Sequence, residues 1–182
     1  MTKNTVSRCG VNPTKQTTLP KYCIFGAGAI GGTIAAQLAR AGATVSVIAR
    51  GETLAAMHKN GLRLLTKGET LQTAVRASAD PAELEPQDYV IIAVKAPSLP
   101  EVASRIGPLL GPETAVGTAM NGIPWWFCVN AKRVLAGKRL TAVDPDGIIA
   151  RAIPTRSVIG CVGYMSCAVE APGVYATVPG VG

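Results

Sequence analysis

The stretch "KYCIFGAGAIGGTIAAQLARAGATVSVIAR", Lys21 to Arg50, predicts the fold of this 182-residue chain. It opens with the short apolar run "YCIF", which stops at Gly26 and is typical of a buried strand. It closes with "TVSVIA", a run rich in β-branched residues that predicts a second strand.

Between these two strands the sequence predicts a helix from about Ala29 to Ala41. Its residues are small, and Ile30, Ile34 and Leu38 follow one another at intervals of four, which gives one apolar stripe. Gly42 stands where a helix C-cap belongs. The whole stretch therefore predicts a βαβ unit of about thirty residues, the size of a parallel strand pair with its crossover helix.

The turn between the first strand and the helix matches the pattern G-x-G-x-x-G. Such a pattern is weak alone, but in a strand–helix–strand context it predicts a dinucleotide site, with the pyrophosphate at the helix N-terminus. The first glycine permits the tight turn, the second lets the backbone approach the phosphates, and the third lets the helix pack closely on the sheet. The predicted cofactor-binding residues of this loop are Gly26, Ala27, Gly28, Ala29, Ile30 and Gly31.

The end of the second predicted strand carries Arg50 where NAD-specific folds place an acidic residue. A guanidinium group suits a 2′-phosphate by its charge and by its paired N–H donors. Arg50 therefore favours NADP(H) over NAD(H). The alternative is that Arg50 is a solvated surface residue.

The remaining pattern predicts a doubly wound, Rossmann-type α/β domain over residues 20–182, with a mostly parallel sheet and antiparallel additions at the C-terminal end. Residues 1–19 are polar and predict a disordered tail. The predicted elements are a helix in "ETLAAMHKN", a hairpin around Lys67-Gly68, a strand at 89–94, a helix at 98–110, a strand at 114–120, a mixed segment at 124–153 with a turn in "VDPDG", and two strands joined by "EAPG".

Two polar residues follow predicted parallel strands. Lys95 comes directly after "YVIIAV", and Asn121 comes directly after "TAVGTAM". Ligands of doubly wound sheets bind outside the carboxyl ends of the strands, so both side chains are candidates for contacts with the cofactor. The plainer alternatives are a loop charge for Lys95 and a turn residue before Gly122 for Asn121.

Composition excludes several other classes of function. The net charge is +7, but the basic residues are scattered and aromatic residues are few, so nucleic acid is not an expected partner. Five cysteines without a C-x-x-C pair, and a single histidine, predict buried free thiols in a reducing cytoplasm and no metal site. The uncharged stretch 22–39 is not a membrane span, because its glycines cluster in a loop pattern, and the polar N-terminus is not a signal peptide.

The motifs "IFGAGAIGG", "SVIAR", "VIIAVKA" and "NGIP", in this order, resemble the ketopantoate reductases, or 2-dehydropantoate 2-reductases. The resemblance covers about Lys21 to Gly182. It implies an NADPH-dependent reduction of 2-dehydropantoate, a 2-keto acid, to pantoate on the route to pantothenate and coenzyme A. It also implies that Arg50 contacts the 2′-phosphate, that Lys95 and Asn121 line the nicotinamide side with Asn121 near the substrate, and that Ser166 touches the cofactor.

The family's general acid is a lysine in a helical C-terminal domain, and the resemblance places that lysine beyond Gly182. No catalytic residue is therefore assigned in this chain, and we expect it to bind NADPH but to reduce the keto acid poorly or not at all. The alternatives are a non-catalytic NADP-binding domain or remnant, and a reductase of another 2-keto acid.

An aromatic cluster, Trp125 to Phe127, follows Asn121. One interpretation is that these side chains pack in the core. The other is that some of them line the cleft or an apolar face left by the absent domain, in which case we expect the chain to self-associate.

Overall fold

The structure is a computed structural model, which describes residues 19–129, 132, 135, 137–161 and 163–178. The predicted tail, apart from Leu19, lies outside these residues, as does part of the mixed segment. The strands are β1 Lys21–Phe25, β2 Thr44–Ile48, β3 Leu62–Thr66, β4 Glu69–Thr73, β5 Arg76–Ser78, β6 Gln87–Ile92, β7 Leu110–Thr118, β8 Val158–Ile159, β9 Cys167–Ala171 and β10 Val174–Thr177. The helices are α1 Ala29–Arg40, α2 Gly51–Asn60, α3 Leu99–Arg105 and α4 Ile148–Ala152.

Six strands form the main sheet, in the order β5-β2-β1-β6-β7-β8, and every neighbouring pair is parallel. Counted along the chain within this sheet, the order is 3-2-1-4-5-6, that of the doubly wound dinucleotide-binding folds. This confirms the predicted fold class. The order reverses between β1 and β6, so the crevice where such folds bind ligands lies beside the carboxyl ends of these two strands.

Alternation along β1 divides the core into two halves. Cys23 and Phe25 face the side covered by α3 and α4, whereas Ile24 faces α1. This is the period of two that a strand buried on both faces requires. Cys23 is fully buried, and its burial raises the pKa of its thiol from 9.0 to about 12.

A second sheet lies on the outer side of α1, with the strand order β4-β3-β10-β9. The two predicted hairpins supply it: β3 pairs antiparallel with β4, and β9 pairs antiparallel with β10. Parallel pairing of β10 with β3 joins them. The antiparallel strands are therefore a separate layer and not additions to the main sheet.

The predicted helix at 98–110 was too long. Helix α3 ends at Arg105, a single 3-10 turn covers Gly107–Leu109, and β7 already begins at Leu110. Pro108 explains the early end, because proline lacks an N–H group and disfavours a helical conformation in the residue before it. The short strand β5 was not predicted. The stretch predicted to hold the strand before "EAPG" begins at Arg156, and both β8 and β9 lie within it.

The aromatic cluster divides between the two interpretations. Trp125 is buried in the core and Trp126 packs partly against it, whereas half of the Phe127 side chain is exposed.

The cysteines differ in exposure. Cys23 and Cys128 are buried, but Cys161 is exposed, which corrects the expectation of uniformly buried cysteines.

Candidate functional site

The glycine loop joins β1 to α1 and passes directly against the end of β6. Gly26 has a φ of +108°, a conformation that favours glycine. A methyl group at this position would lie 2.6 Å from Val94 Cγ1 and 2.9 Å from the carbonyl oxygen of Ala93. A methyl group at Gly31 would overlap the carbonyl oxygen of Gly26 and lie 3.1 Å from Ile24 Cγ2. The loop and the first turn of α1 thus pack so closely on their neighbours that a side chain has no room at Gly26 or Gly31.

Gly28 is different, because a methyl group there would meet nothing within 4 Å. Gly28 is the N-cap of α1, no side chain caps this helix end, and the first turn carries no acidic residue. The N-terminus of a twelve-residue helix is therefore open to an anion, with its free N–H groups and the positive end of its dipole. This geometry fits the pyrophosphate of a dinucleotide.

Two cavities flank the loop and share Val94. The first, of about 340 Å³, is lined by Phe25, Gly26, Ala27, Ile48, Ala49, Arg50, Thr53, Val94, Ser98, Glu101 and Val102. The second, of about 560 Å³, is lined by Gly28, Ala29, Ile30, Ile34, Ala93, Val94, Lys95, Ala96, Ala119, Met120, Asn121, Cys161, Gly163 and Met165. An elongated ligand with negative charge near its middle suits this arrangement.

Arg50 lies at the mouth of the first cavity. It is the N-cap of α2 and has an extended backbone, but its side chain makes no capping hydrogen bond. Its Nη2 lies 2.5 Å from Oε1 of Glu101, in the first turn of α3, and both side chains are about half exposed. Arg50, the residue predicted to bind the 2′-phosphate, is therefore paired with a carboxylate that no sequence motif marked.

Lys95 and Asn121 line the second cavity together, from the ends of β6 and β7. Both strands end three residues before them, at Ile92 and Thr118. Gly122, with a φ of +105°, supports a turn directly after Asn121. The two exposed side chains thus line one cavity.

Ser166 is not among the residues that line either cavity. It is exposed and directly precedes β9, and its carbonyl oxygen accepts a hydrogen bond from the Val178 N–H at 2.8 Å. Its neighbour Met165 lines the second cavity instead, together with Cys161 and Gly163. The sequence carried no signal for these residues, since they follow β8, a strand of only two residues.

Tyr175 of β10 supports the loop from the second sheet. Its side chain is fully buried, and its hydroxyl donates a hydrogen bond of 2.8 Å to the carbonyl oxygen of Ala27. Burial raises the pKa of this hydroxyl from 10.0 to about 12, so it is a neutral donor near pH 7. No motif marked Tyr175, because the contact joins residues 148 positions apart.

Two findings concern other classes of site. Within the described ranges, no group of three or more histidine, cysteine or acidic side chains is arranged to hold a metal ion. No helix in the same part of the chain is long and apolar enough to cross a membrane.

Comparison with known proteins agrees with this geometry. A sequence model of the family described as ketopantoate reductase PanE/ApbA matches residues 22–178. A 2-dehydropantoate 2-reductase of Mesorhizobium japonicum is 50% identical over 161 residues, which cover 88% of this chain and 49% of that protein. A glycerol-3-phosphate dehydrogenase [NAD(P)+] of Rhodopseudomonas palustris is 30% identical over 108 residues, or 59% of this chain and 33% of that protein.

Solved structures give the same result. A protein from Ralstonia solanacearum, provisionally assigned as a ketopantoate reductase, has a TM-score of 0.85 and 52% identity, and the match covers 90% of this chain and 50% of that one. A PanE/ApbA family ketopantoate reductase from Ralstonia eutropha has a TM-score of 0.68 and 29% identity, covering 86% and 46%. The chain spans about half the length of these proteins. By the family match and the relatives together, the chain belongs to the ketopantoate reductase PanE/ApbA family.

Proposed function

We propose that this chain binds NADP(H) and supplies the cofactor-binding half of a cytoplasmic enzyme that reduces 2-dehydropantoate to pantoate, a step towards pantothenate and coenzyme A. The family and the doubly wound fold imply a nicotinamide cofactor. The preference for NADP(H) over NAD(H) rests on Arg50, whose side chain lines the first cavity. In this proposal the adenosine end of the cofactor lies there.

Each part of the site has a role in this proposal. Gly26 to Gly31 hold the pyrophosphate, and Arg50 holds the 2′-phosphate by charge and by paired N–H donors. Lys95 and Asn121 orient the nicotinamide end, and Asn121 also contacts the keto acid. Their positions in one cavity beside the open end of α1 support these assignments. Ser166, which the resemblance places against the cofactor, directly follows Met165, a lining residue of the second cavity.

The bound cofactor supplies the hydride for the reduction. The protein must also protonate the alkoxide that develops on the substrate, which calls for a positioned acid. The family resemblance assigns that acid to a lysine beyond Gly182. We therefore propose that the 182-residue chain binds NADPH but turns over 2-dehydropantoate poorly or not at all. Steady turnover by this chain alone would contradict that proposal.

A second candidate is a non-catalytic NADP-binding module, or the cofactor half of a reductase acting on another 2-keto acid. The similarity to a glycerol-3-phosphate dehydrogenase supports only a reductase with another substrate, because that match falls within a protein named for a different substrate. An assay of cofactor binding alone does not separate the candidates. The candidates are separated by measuring the reduction of 2-dehydropantoate and of other 2-keto acids by a protein that contains the whole length of the relatives.

The first experiment is a fluorescence titration of the chain with NADPH and with NADH. We expect NADPH to bind at least about tenfold more tightly, and Arg50→Ala to remove that preference by weakening NADPH alone. Arg40→Ala is the matched control, since Arg40 is equally exposed, pairs with Glu69 at 3.7 Å and lines neither cavity. Equal affinities of the wild-type chain for the two cofactors would contradict the NADP(H) assignment.

We also propose that the chain self-associates through exposed apolar side chains, one of which, Met165, lines the second cavity. Tyr164 is 96% exposed, and Phe127 and Met165 are about half exposed. Exposed apolar side chains of this size favour association. Sedimentation velocity over a hundredfold range of concentration should show a rising average mass, and a constant monomer mass would contradict the proposal.

A further inference from the structure

Arg50 and Glu101 form an ion pair across the first cavity. Nη2 of Arg50 lies 2.5 Å from Oε1 of Glu101, and both residues line this cavity. Arg50 comes from the end of β2, whereas Glu101 comes from α3, on the far side of the switch point. The guanidinium group that the proposed function assigns to a 2′-phosphate is thus already paired with a carboxylate.

Glu101 has a second cationic neighbour on its own helix. Nη1 of Arg105, one turn further along α3, lies 3.8 Å from the same Oε1 atom. Arg105 is fixed in place, because its Nη2 donates a hydrogen bond of 2.6 Å to the carbonyl oxygen of Ala79. Glu101 can therefore leave Arg50 and keep an oppositely charged neighbour. Since the pair with Arg50 is half exposed and screened, breaking it requires little free energy.

We propose that Glu101 sets the cofactor preference of this site by competing with the 2′-phosphate for Arg50. The proposal rests on the proposed function, that a nicotinamide dinucleotide lies with its adenosine ribose beside Arg50. A 2′-phosphate takes Arg50 from Glu101 and then lies near a negative charge, which weakens its binding. A free 2′-hydroxyl carries no charge and donates a hydrogen bond to the Glu101 carboxylate. Glu101 therefore lowers the affinity for NADPH and favours the binding of NADH. It reduces the preference for NADPH over NADH that Arg50 creates.

The test compares wild type, Glu101→Gln and Glu113→Gln by fluorescence titration with NADPH and NADH at low ionic strength. Glu101→Gln keeps the size of the side chain and removes its charge, so we expect NADPH to bind about 3- to 10-fold more tightly while NADH binds no more tightly than to wild type. Glu113→Gln makes the same change in net charge at the opposite end of the sheet, beside Asp88, and should leave both affinities within twofold. A Glu101→Gln variant with an unchanged or lower NADPH-to-NADH preference would overturn the proposal.

The same titration separates this proposal from the proposed function. If wild type prefers NADPH, Arg50→Ala loses the preference and Glu101→Gln changes nothing, the cofactor assignment stands and the competition is wrong. If the wild-type chain binds neither cofactor, both are overturned. Repeating the comparison with 2′-phospho-AMP and AMP confines the readout to the adenosine end, and the same increase in preference is expected there.

A double-mutant cycle tests the shared carboxylate. Arg105→Gln removes one of the two arginines paired with Glu101, so Glu101 should pair more strongly with Arg50. NADPH should therefore bind about 2- to 3-fold more weakly to this variant than to wild type. In the Glu101→Gln background the same substitution should change NADPH affinity by less than twofold. Equal losses in both backgrounds would mean that Arg105 acts on the cofactor directly and would overturn the arrangement.

Discussion

Tyr175 and Gly32 are in direct contact at the centre of the molecule: a methyl group built on Gly32 would overlap the phenol ring. The ring lies on α1 where this helix lacks a side chain, which lets the hydroxyl reach the carbonyl oxygen of Ala27 in the glycine loop. Gly32 lies outside the G-x-G-x-x-G pattern, and its requirement for glycine comes from the second sheet.

Gly32→Ala should therefore destabilise the fold by about 1–3 kcal/mol, as overpacked core sites do. Urea unfolding followed by circular dichroism measures this. Gly163→Ala is the control, because a methyl group at Gly163 meets nothing within 4 Å, and its free energy of unfolding should change by less than about 0.5 kcal/mol. Equal stability of the two variants would show that the Tyr175 ring yields without cost.

Gly28→Ala should separate binding from folding. Its methyl group projects into open space beside the second cavity, so the free energy of unfolding should stay within about 0.5 kcal/mol of wild type. The same methyl group blocks the close approach of a pyrophosphate, so NADPH should bind about tenfold more weakly or worse. Gly31→Ala, whose methyl group would overlap the carbonyl oxygen of Gly26, should lose stability instead. Unimpaired binding by Gly28→Ala would contradict the assignment of the loop.

Stability should fall in alkaline solution because of two buried groups. Burial raises the pKa of the Cys23 thiol and of the Tyr175 hydroxyl to about 12, from 9.0 and 10.0. Below pH 9 both groups are protonated in the folded and the unfolded chain. Between pH 9 and 12 the unfolded chain releases protons that the folded chain keeps, so the free energy of unfolding decreases as pH rises. Urea unfolding at pH 8 to 11 should give a shallower decrease for Cys23→Ala and for Tyr175→Phe, and parallel curves would contradict the assignment.

Cys161 should report occupancy of the second cavity. It is an exposed free thiol among the lining residues, whereas Cys167 of β9 is partly exposed and does not line the cavity. Saturating NADPH should slow alkylation of Cys161 by iodoacetamide at least about fivefold, because bound ligand removes most of its access. Peptide mass spectrometry resolves the two sites, and the rate at Cys167 should change by less than twofold. Equal rates at Cys161 with and without NADPH would place the ligand elsewhere.

The central part of the fold and of the site could be predicted from sequence because its signals are local. The β1–α1–β2 unit is indicated by an apolar run, three glycines and an apolar stripe within thirty residues. Lys95 and Asn121 could be predicted to follow strands because each comes directly after a strong apolar run. The three-residue strand β5 lacks such a run and exists through its pairing with β2. Glu101 is an ordinary surface acid of α3 until the fold brings it to Arg50. The pairing of β3 with β10 depends on the packing of both hairpins against α1, which no local pattern encodes.

The parallel pairing of β10 with β3 has a consequence for synthesis of the chain. The glycine loop leaves the ribosome 148 residues before the tyrosine that braces it. Until β10 is made, one edge of β3 has no partner, and the part of α1 that β10 covers stays exposed. Unpaired edges and exposed apolar surface are what make partly folded chains aggregate, and contacts this distant in sequence form slowly. Nascent chains that end before Val174 should therefore be the forms that depend most on chaperones.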